Sequence, residues 1–161
     1  MSDQIVLESY LTFCLDDEFF ATNVSKVFEI MEIPRITRVP LSPSYMRGVI
    51  NVRGNVIPVI DTRAKFGLPE KADTVNSCII VLSVAVEGEQ ITIGAVVDSL
   101  HEVVEFGDRE VRPAPSIGAG YSPGFILGMV ESGDRFIMIL DPDAVFSSDE
   151  VSYLKEIVEG A

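Results

Sequence analysis

The sequence predicts a mainly β chain, folded as two small barrels with a few short helices and one longer helix at its C-terminal end. Three observations carry that expectation. Short apolar runs rich in Val, Ile and Phe recur along the 161 residues, each bounded by turn residues. The connections between them are tight, with no stretch patterned as a crossover helix, which favours antiparallel pairing over a parallel sheet. The second half of the sequence also echoes the first, as a duplicated β unit would.

Taken in order, Tyr10 to Leu15 and Glu18 to Thr22 read as a hairpin closed by Asp16-Asp17. Thr22 to Phe28 suits one or two helical turns after a Thr22 or Asn23 cap. Val49 to Val52 and Val56 to Ile60 flank the turn Arg53-Gly54-Asn55. Gly48 ahead of that turn signals bending or a close backbone approach, and Pro58 after it signals an edge or a bulge. Thr62 to Phe66 reads as a short helix after Asp61. Ser77 to Val86 and Gln90 to Val97 turn at Gly88, and Phe125 to Val130 and Phe136 to Leu140 turn at Ser132-Gly133-Asp134. Ser147-Ser148-Asp149-Glu150 matches a capping box, after which Val151, Leu154, Ile157 and Val158 share one helical face that should dock on the body.

A shift of 80 residues places Gly48 on Gly128, Val49 on Met129, Ile50 on Val130, Asp61 on Asp141 and Phe66 on Phe146. A shift of 73 places Val27, Glu29 and Ile30 on Leu100, Glu102 and Val103. The expected organisation is one domain over 1–161, with barrel subdomains at 10–75 and 76–146, a helix at 147–161, and exchange of terminal strands between the barrels left open. Units this small are marginal alone, so they must share a seam, where a partner's helix or strand can also lie.

Composition bounds the function. Twelve basic against 25 acidic residues give a net charge of −13, which argues against generic nucleic-acid binding. With 47% hydrophobic residues the chain is far from the disordered regime. No apolar run approaches the roughly 20 residues of a membrane helix, and MSDQIVLES lacks the basic flank of a signal peptide, so a cytoplasmic protein is expected. Yet from Ile33 to Pro69 the chain carries Arg35, Arg38, Arg47, Arg53, Arg63 and Lys65 against Asp61 alone. Such segregation marks a face for an acidic partner or for the protein's own acidic remainder.

Catalytic signals are sparse. Cys14 and Cys78 sit in apolar runs as buried thiols would, and His101 is the single histidine. No CxxC, HExxH or GxSxG spacing exists, so neither a metal site nor a nucleophile triad is expected. Gly118-Ala119-Gly120 lacks the Lys and the strand-to-helix context of a nucleotide loop and reads as a flexible excursion within RPAPSIGAGYSPG. Asp16-Asp17-Glu18 and Asp141-Pro142-Asp143 read as turn acids. No cofactor is expected. A carboxylate pair on an exposed groove is the enzymatic alternative.

The segment MRGVINVRGNVIPVIDTRAKFGL, from Met46 to Leu68, resembles the most characteristic motif of the chemotaxis coupling proteins of the CheW family. VRPAP at Val111 to Pro115 matches the family's second motif, and IGAVVDSLHEVVEF, FILGMVESGDRFIMILD and the acidic C-terminal helix follow in its order, covering about Tyr10 to Glu159. The resemblance implies two five-stranded SH3-like barrels and a non-enzymatic adaptor. Its partners would be chemoreceptor cytoplasmic tips and the regulatory domain of the histidine kinase CheA, and it would be membrane-associated only through the receptor complex. The same fold in a chemosensory pathway other than motility is the alternative. A chain of this length leaves no room for a kinase or receiver segment, unlike fused relatives such as CheV. The resemblance further implies receptor-facing positions at Val27, Gly48, Asn51 and Arg53, with Gly48 admitting the receptor's helical hairpin, Val27 giving apolar contact and Arg53 a charged hydrogen bond. It implies kinase-facing positions around Val97, Leu100, Gly118 and Ile126.

Overall fold

The computed structural model describes residues 8–86, 88–113 and 124–145. Gly118 and the expected C-terminal helix lie outside the described residues.

Eleven strands are described: β1 (Ser9–Leu15), β2 (Glu18–Asn23), β3 (Val27–Glu32), β4 (Met46–Val52), β5 (Asn55–Asp61), β6 (Cys78–Val86), β7 (Glu89–Val97), β8 (Ser99–Glu105), β9 (Val111–Arg112), β10 (Ile126–Ser132) and β11 (Arg135–Leu140). A short helix, α1 (Thr62–Lys65), follows β5, and single 3-10 turns lie at Val24–Lys26 and Pro142–Ala144. The strands form two sheets, ordered β8-β1-β2-β11-β10-β9 and β3-β6-β7-β5-β4. Pairing is antiparallel except for β5 with β7 and β11 with β2, so each sheet carries one parallel pair that the tight turns did not foretell.

The sheets are not the two halves of the chain. β1 and β2 pair with strands from the second half, while β6 and β7 complete the sheet of β3, β4 and β5. In hydrogen-bonded order, β3, β6, β7, β5 and β4 correspond to β8, β1, β2, β11 and β10. One unit is therefore continuous, and the other receives two of its strands from the N-terminal end. Local detail repeats as well. The β4–β5 register slips between Met46 and Gly48, and the β10–β11 register slips between Ile126 and Gly128. The Asp61 amide donates to the Tyr45 carbonyl at 2.7 Å, and the Asp141 amide to the Phe125 carbonyl at 2.8 Å. Both aspartates then cap a turn: Asp61 accepts from the Ala64 amide and Asp141 from the Asp143 amide.

Each sheet curls over its own small core. Tyr10, Ala21, Phe106, Val130, Ile137 and Ile139 fill one, and Ile50, Val52, Ile57, Val59, Ile79, Val81 and Val96 the other. A larger cluster, including Leu11, Phe13, Leu15 and Phe20 from one sheet and Ile80, Leu82, Val84 and Ile93 from the other, forms the seam. Strands facing both a private core and the seam have no solvent side, which is why β6 reads CIIVLSVAV without polar alternation. Among the described residues neither sheet is closed by a continuous ladder between its edge strands. The chain beyond β3 instead crosses to β4 by an isolated bridge between Thr37 and Val49, and β9 makes the equivalent pairing with β10.

The helical turns expected over Thr22 to Phe28 shrink to Val24–Lys26, and β3 begins at Val27. The Asn23 side chain accepts from the Ser25 amide and starts the turn, but pairing of β3 with β6 takes the chain from Val27 onward.

Candidate functional site

The motif that stood out in the sequence folds as the β4–β5 hairpin. Arg53 and Gly54 at its tip have φ of 53° and 88°, the pair of positive values that a tight two-residue turn requires. The Asn51 carbonyl oxygen Oδ1 accepts from the Gly54 amide at 2.9 Å and locks the turn from within. Gly, Asn or Asp would occupy position 53 with less strain, so an arginine in this conformation points to its side chain as the reason it is there. That side chain is 71% exposed.

The Arg53 guanidinium lies 5.9 Å from the centre of the Phe28 ring and 3.6 Å from Glu29 Oε2. Phe28 is 61% exposed, because the alternation of β3 turns Val27, Glu29 and Met31 inward and Phe28 and Ile30 outward. Among the described residues Glu29 Oε1 is buried with no hydrogen-bond partner, and Arg53 holds the carboxylate loosely through Oε2. Phe28 and Arg53, with Val56, Ile57, Ile91 and Thr92, line an open groove of about 450 Å³. An exposed aromatic beside an arginine, at the rim of a groove that mixes apolar side chains with Asn55, Glu89, Gln90 and Thr92, suits protein recognition. Phe28 was missed in the sequence because the segment was read as helix; the apolar-polar alternation VFEIME was the available signal.

The four receptor-facing candidates are not equivalent. Asn51 and Arg53 meet at the turn. Val27 is half-buried and packs against the seam core. Gly48 is buried in β4 with φ of 145°, and a Cβ there would lie 2.1 Å from the Thr37 carbonyl oxygen. Its lack of a side chain is thus required by the chain's own backbone, the close backbone approach that a glycine within a strand signals. On the kinase-facing side, Val97 is 1% exposed within the seam and presents no surface. Ile126 is half-buried against the same cluster. Leu100 is 37% exposed on edge strand β8, where Val103, 61% exposed, extends the apolar strip.

The basic segment is also less exposed than its composition suggests. Arg47 makes a two-pronged contact with Asp73 at 2.7 and 2.8 Å and lies 3.7 Å from Asp61. Hydrogen bonding to Arg47 holds the Asp73 carboxyl below its usual range, against an opposing effect of burial, and the same pairing raises Arg47. Arg63 is buried, and although burial opposes its charge, Asp16 and Asp98 keep its pKa raised. Arg35, Arg38 and Arg53 remain as exposed cations of the segment. The acids gathered in the concavity beside Arg47, namely Asp61, Asp73 and Asp98, each face an arginine and are not a free carboxylate pair. Among the described residues no group of three or more His, Cys, Asp or Glu is placed to hold a metal ion. Cys14 and Cys78 are free thiols, and burial pushes Cys78 up.

Residues 9–150 match the CheW-like domain family. The chain belongs to the CheW-like family. It is 28% identical over 159 residues to the chemotaxis protein CheW of Klebsiella aerogenes, covering 99% of this chain and 93% of that protein. It is 32% identical over 140 residues to the CheW protein of Rhizobium meliloti, covering 87% and 88%. The crystal structure of the scaffolding protein TtCheW from Thermoanaerobacter tengcongensis matches with a TM-score of 0.75 at 27% identity, covering 89% of this chain and 94% of that one. This CheW-like chain is a chemotaxis coupling adaptor and not an enzyme. None of its described helices is long and apolar enough to cross a membrane.

Proposed function

We propose that this CheW-like chain holds a chemoreceptor's cytoplasmic tip on the face built by Phe28, Asn51 and Arg53, and a CheA-type regulatory domain on the strip of β8 that carries Leu100 and Val103. The observation that carries the first assignment is Arg53 itself, set in a strained left-handed turn and aimed past an exposed phenylalanine. Its guanidinium supplies planar, charge-assisted hydrogen bonds, and Phe28 with Ile30 supplies the apolar contact first sought at Val27. Leu100 and Val103 support the second assignment as an exposed apolar pair on an edge strand.

In this reading the single domain over 1–161 contains two SH3-like barrel units sharing a seam, with β1 and β2 contributed to the second. The protein works in the cytoplasm, joined to the membrane only through its receptor, in a motility pathway.

The test is reconstitution of receptor fragment, kinase and adaptor, reading kinase activity and co-sedimentation. Arg53→Ala and Phe28→Ala should release the receptor while kinase-domain binding persists, and Val103→Glu should do the reverse. Full receptor coupling by a folded Arg53→Ala, Phe28→Ala double variant would overturn the assignment of faces.

A further inference from the structure

Away from these faces, the seam holds two side-chain clusters that the duplication makes equivalent. Arg63 lies in α1, two residues after the capping Asp61. Its Nη1 donates to Asp98 Oδ2 at 2.6 Å, its Nη2 to Asp16 Oδ1 at 3.0 Å and its Nε to the Pro69 carbonyl at 2.8 Å, with the side chain 8% exposed. Asp16 sits in the β1–β2 turn of the other sheet, and Asp98 sits where β7 crosses over to β8. Asp143 lies two residues after the capping Asp141 of that other sheet. Its Oδ1 accepts from the Ala85 amide at 2.7 Å, and its Oδ2 from Lys26 Nζ at 2.9 Å. Ala85 belongs to β6 in the first sheet, and Lys26 sits where β2 crosses over to β3.

The correspondence runs position by position. Arg63 and Asp143 are related by the 80-residue shift, the β1–β2 hairpin corresponds to β6–β7, and the β7–β8 crossing to β2–β3. The charges are inverted: on one side a cation reaches two acids, and on the other an acid reaches a cation and an amide donor.

We propose that these two clasps form a keyed latch that sets one mutual orientation of the two sheets. Burial of the seam core is non-directional and would tolerate some rotation of one sheet on the other. Charge-assisted hydrogen bonds are directional, and two of them at separate crossings fix that rotation. The inversion makes the fit selective. Packing two copies of one unit would set Asp143 against the position of Asp16, acid against acid, or Arg63 against the Ala85 amide and Lys26, donor against donor. The latch does not depend on the adaptor reading; only its consequence, a fixed angle between the β3 and β8 edges, rests on that reading.

The test uses the full chain in solution. Residual dipolar couplings from both sheets of the unsubstituted protein should fit a single alignment tensor. In Arg63→Met, Asp143→Ala, which leaves neither clasp its central side chain, amides inside each sheet should remain protected while the couplings of the two sheets require separate tensors. A single tensor in that folded double variant would overturn the latch, leaving the apolar seam as the sole determinant. Should the double variant fail to fold, Lys26→Met reports instead, through amide exchange. Exchange at least ten-fold faster at both Ala85 and Asp16, on opposite clasps, is expected. Acceleration at Ala85 alone, or at neither, would show that the clasps are not a shared device.

Discussion

Gly48→Ala gives the sharpest test of how the hairpin is built. An alanine Cβ at this position would lie 2.1 Å from the Thr37 carbonyl oxygen, 2.8 Å from the Thr37 carbonyl carbon and 2.9 Å from Ile36 Cγ2, and the residue would have to keep φ of 145°. The first two contacts are backbone, so no side-chain rotation relieves them. The segment carrying Thr37 must move off β4, losing the bonds from the Thr37 amide to the Val49 carbonyl (3.0 Å) and from the Val49 amide to the Thr37 carbonyl (2.8 Å). Those two bonds contribute roughly 1 kcal/mol each, and an unfavourable φ costs about 1–3 kcal/mol. A loss of about 3–5 kcal/mol follows, a large part of the roughly 5–15 kcal/mol that holds a typical domain folded. Urea unfolding measures it, with Gly54→Ala as the control: φ there is 88°, but no atom lies within 4 Å of the added Cβ, so only the conformational strain of about 1 kcal/mol remains. Gly128→Ala should fall between them, since its Cβ would lie 2.8 Å from both the Arg112 carbonyl oxygen and Val111 Cγ1. A Gly48→Ala protein within about 0.5 kcal/mol of the parent would refute the reasoning.

Two threonines should respond oppositely to the same substitution. Among the described residues Thr22 Oγ1 is buried without a partner, so Thr22→Val should raise the melting temperature, by a gain of about 1 kcal/mol, whereas Thr12 Oγ1 donates to the Glu102 carbonyl (2.7 Å) and accepts from its amide (3.0 Å), so Thr12→Val should lower it. Equal signs for the pair would contradict this. Because the folded Asp73 carboxyl is held below its unfolded value, its contribution is complete above about pH 4 and disappears as pH falls through the lowered folded value. The contact is partly exposed, so its worth is about 0.5 kcal/mol after solvent screening. The stability gap between the parent and Asp73→Asn should therefore close in acid; a gap independent of pH would show that the Arg47 contact is not what matters.

Much of this was legible because the physics was local. The hairpin turns announce themselves by residue type: Asp16 and Asp17 both take positive φ, as the tight turn between β1 and β2 demands. The Asp61 and Asp141 caps and the bulged glycines repeat because each serves the same bend in its own sheet. What escaped depends on partners distant in sequence. β8 pairs with β1, some 90 residues earlier, and exposes most of its side chains, so SLHEVVE lacks the pattern of a buried strand. Arg63 reads in the sequence as one more surface cation because its partners are distant: Asp16 lies 47 residues before it and Asp98 35 residues after it. Val97 looked like an available strand end and is instead part of the seam, because β7 has a core on each side.

The central claim is that Arg53 and Phe28 form a partner-binding face separate from the one on β8. Calorimetric titration of Arg53→Glu with a receptor cytoplasmic fragment and, separately, with the kinase regulatory domain tests it most directly. Receptor affinity should fall at least ten-fold, about 1.4 kcal/mol, while kinase-domain affinity stays unchanged and the protein, though less stable for the loss of the Glu29 contact, remains folded. Undiminished receptor binding, or equal loss of both partners, would contradict it.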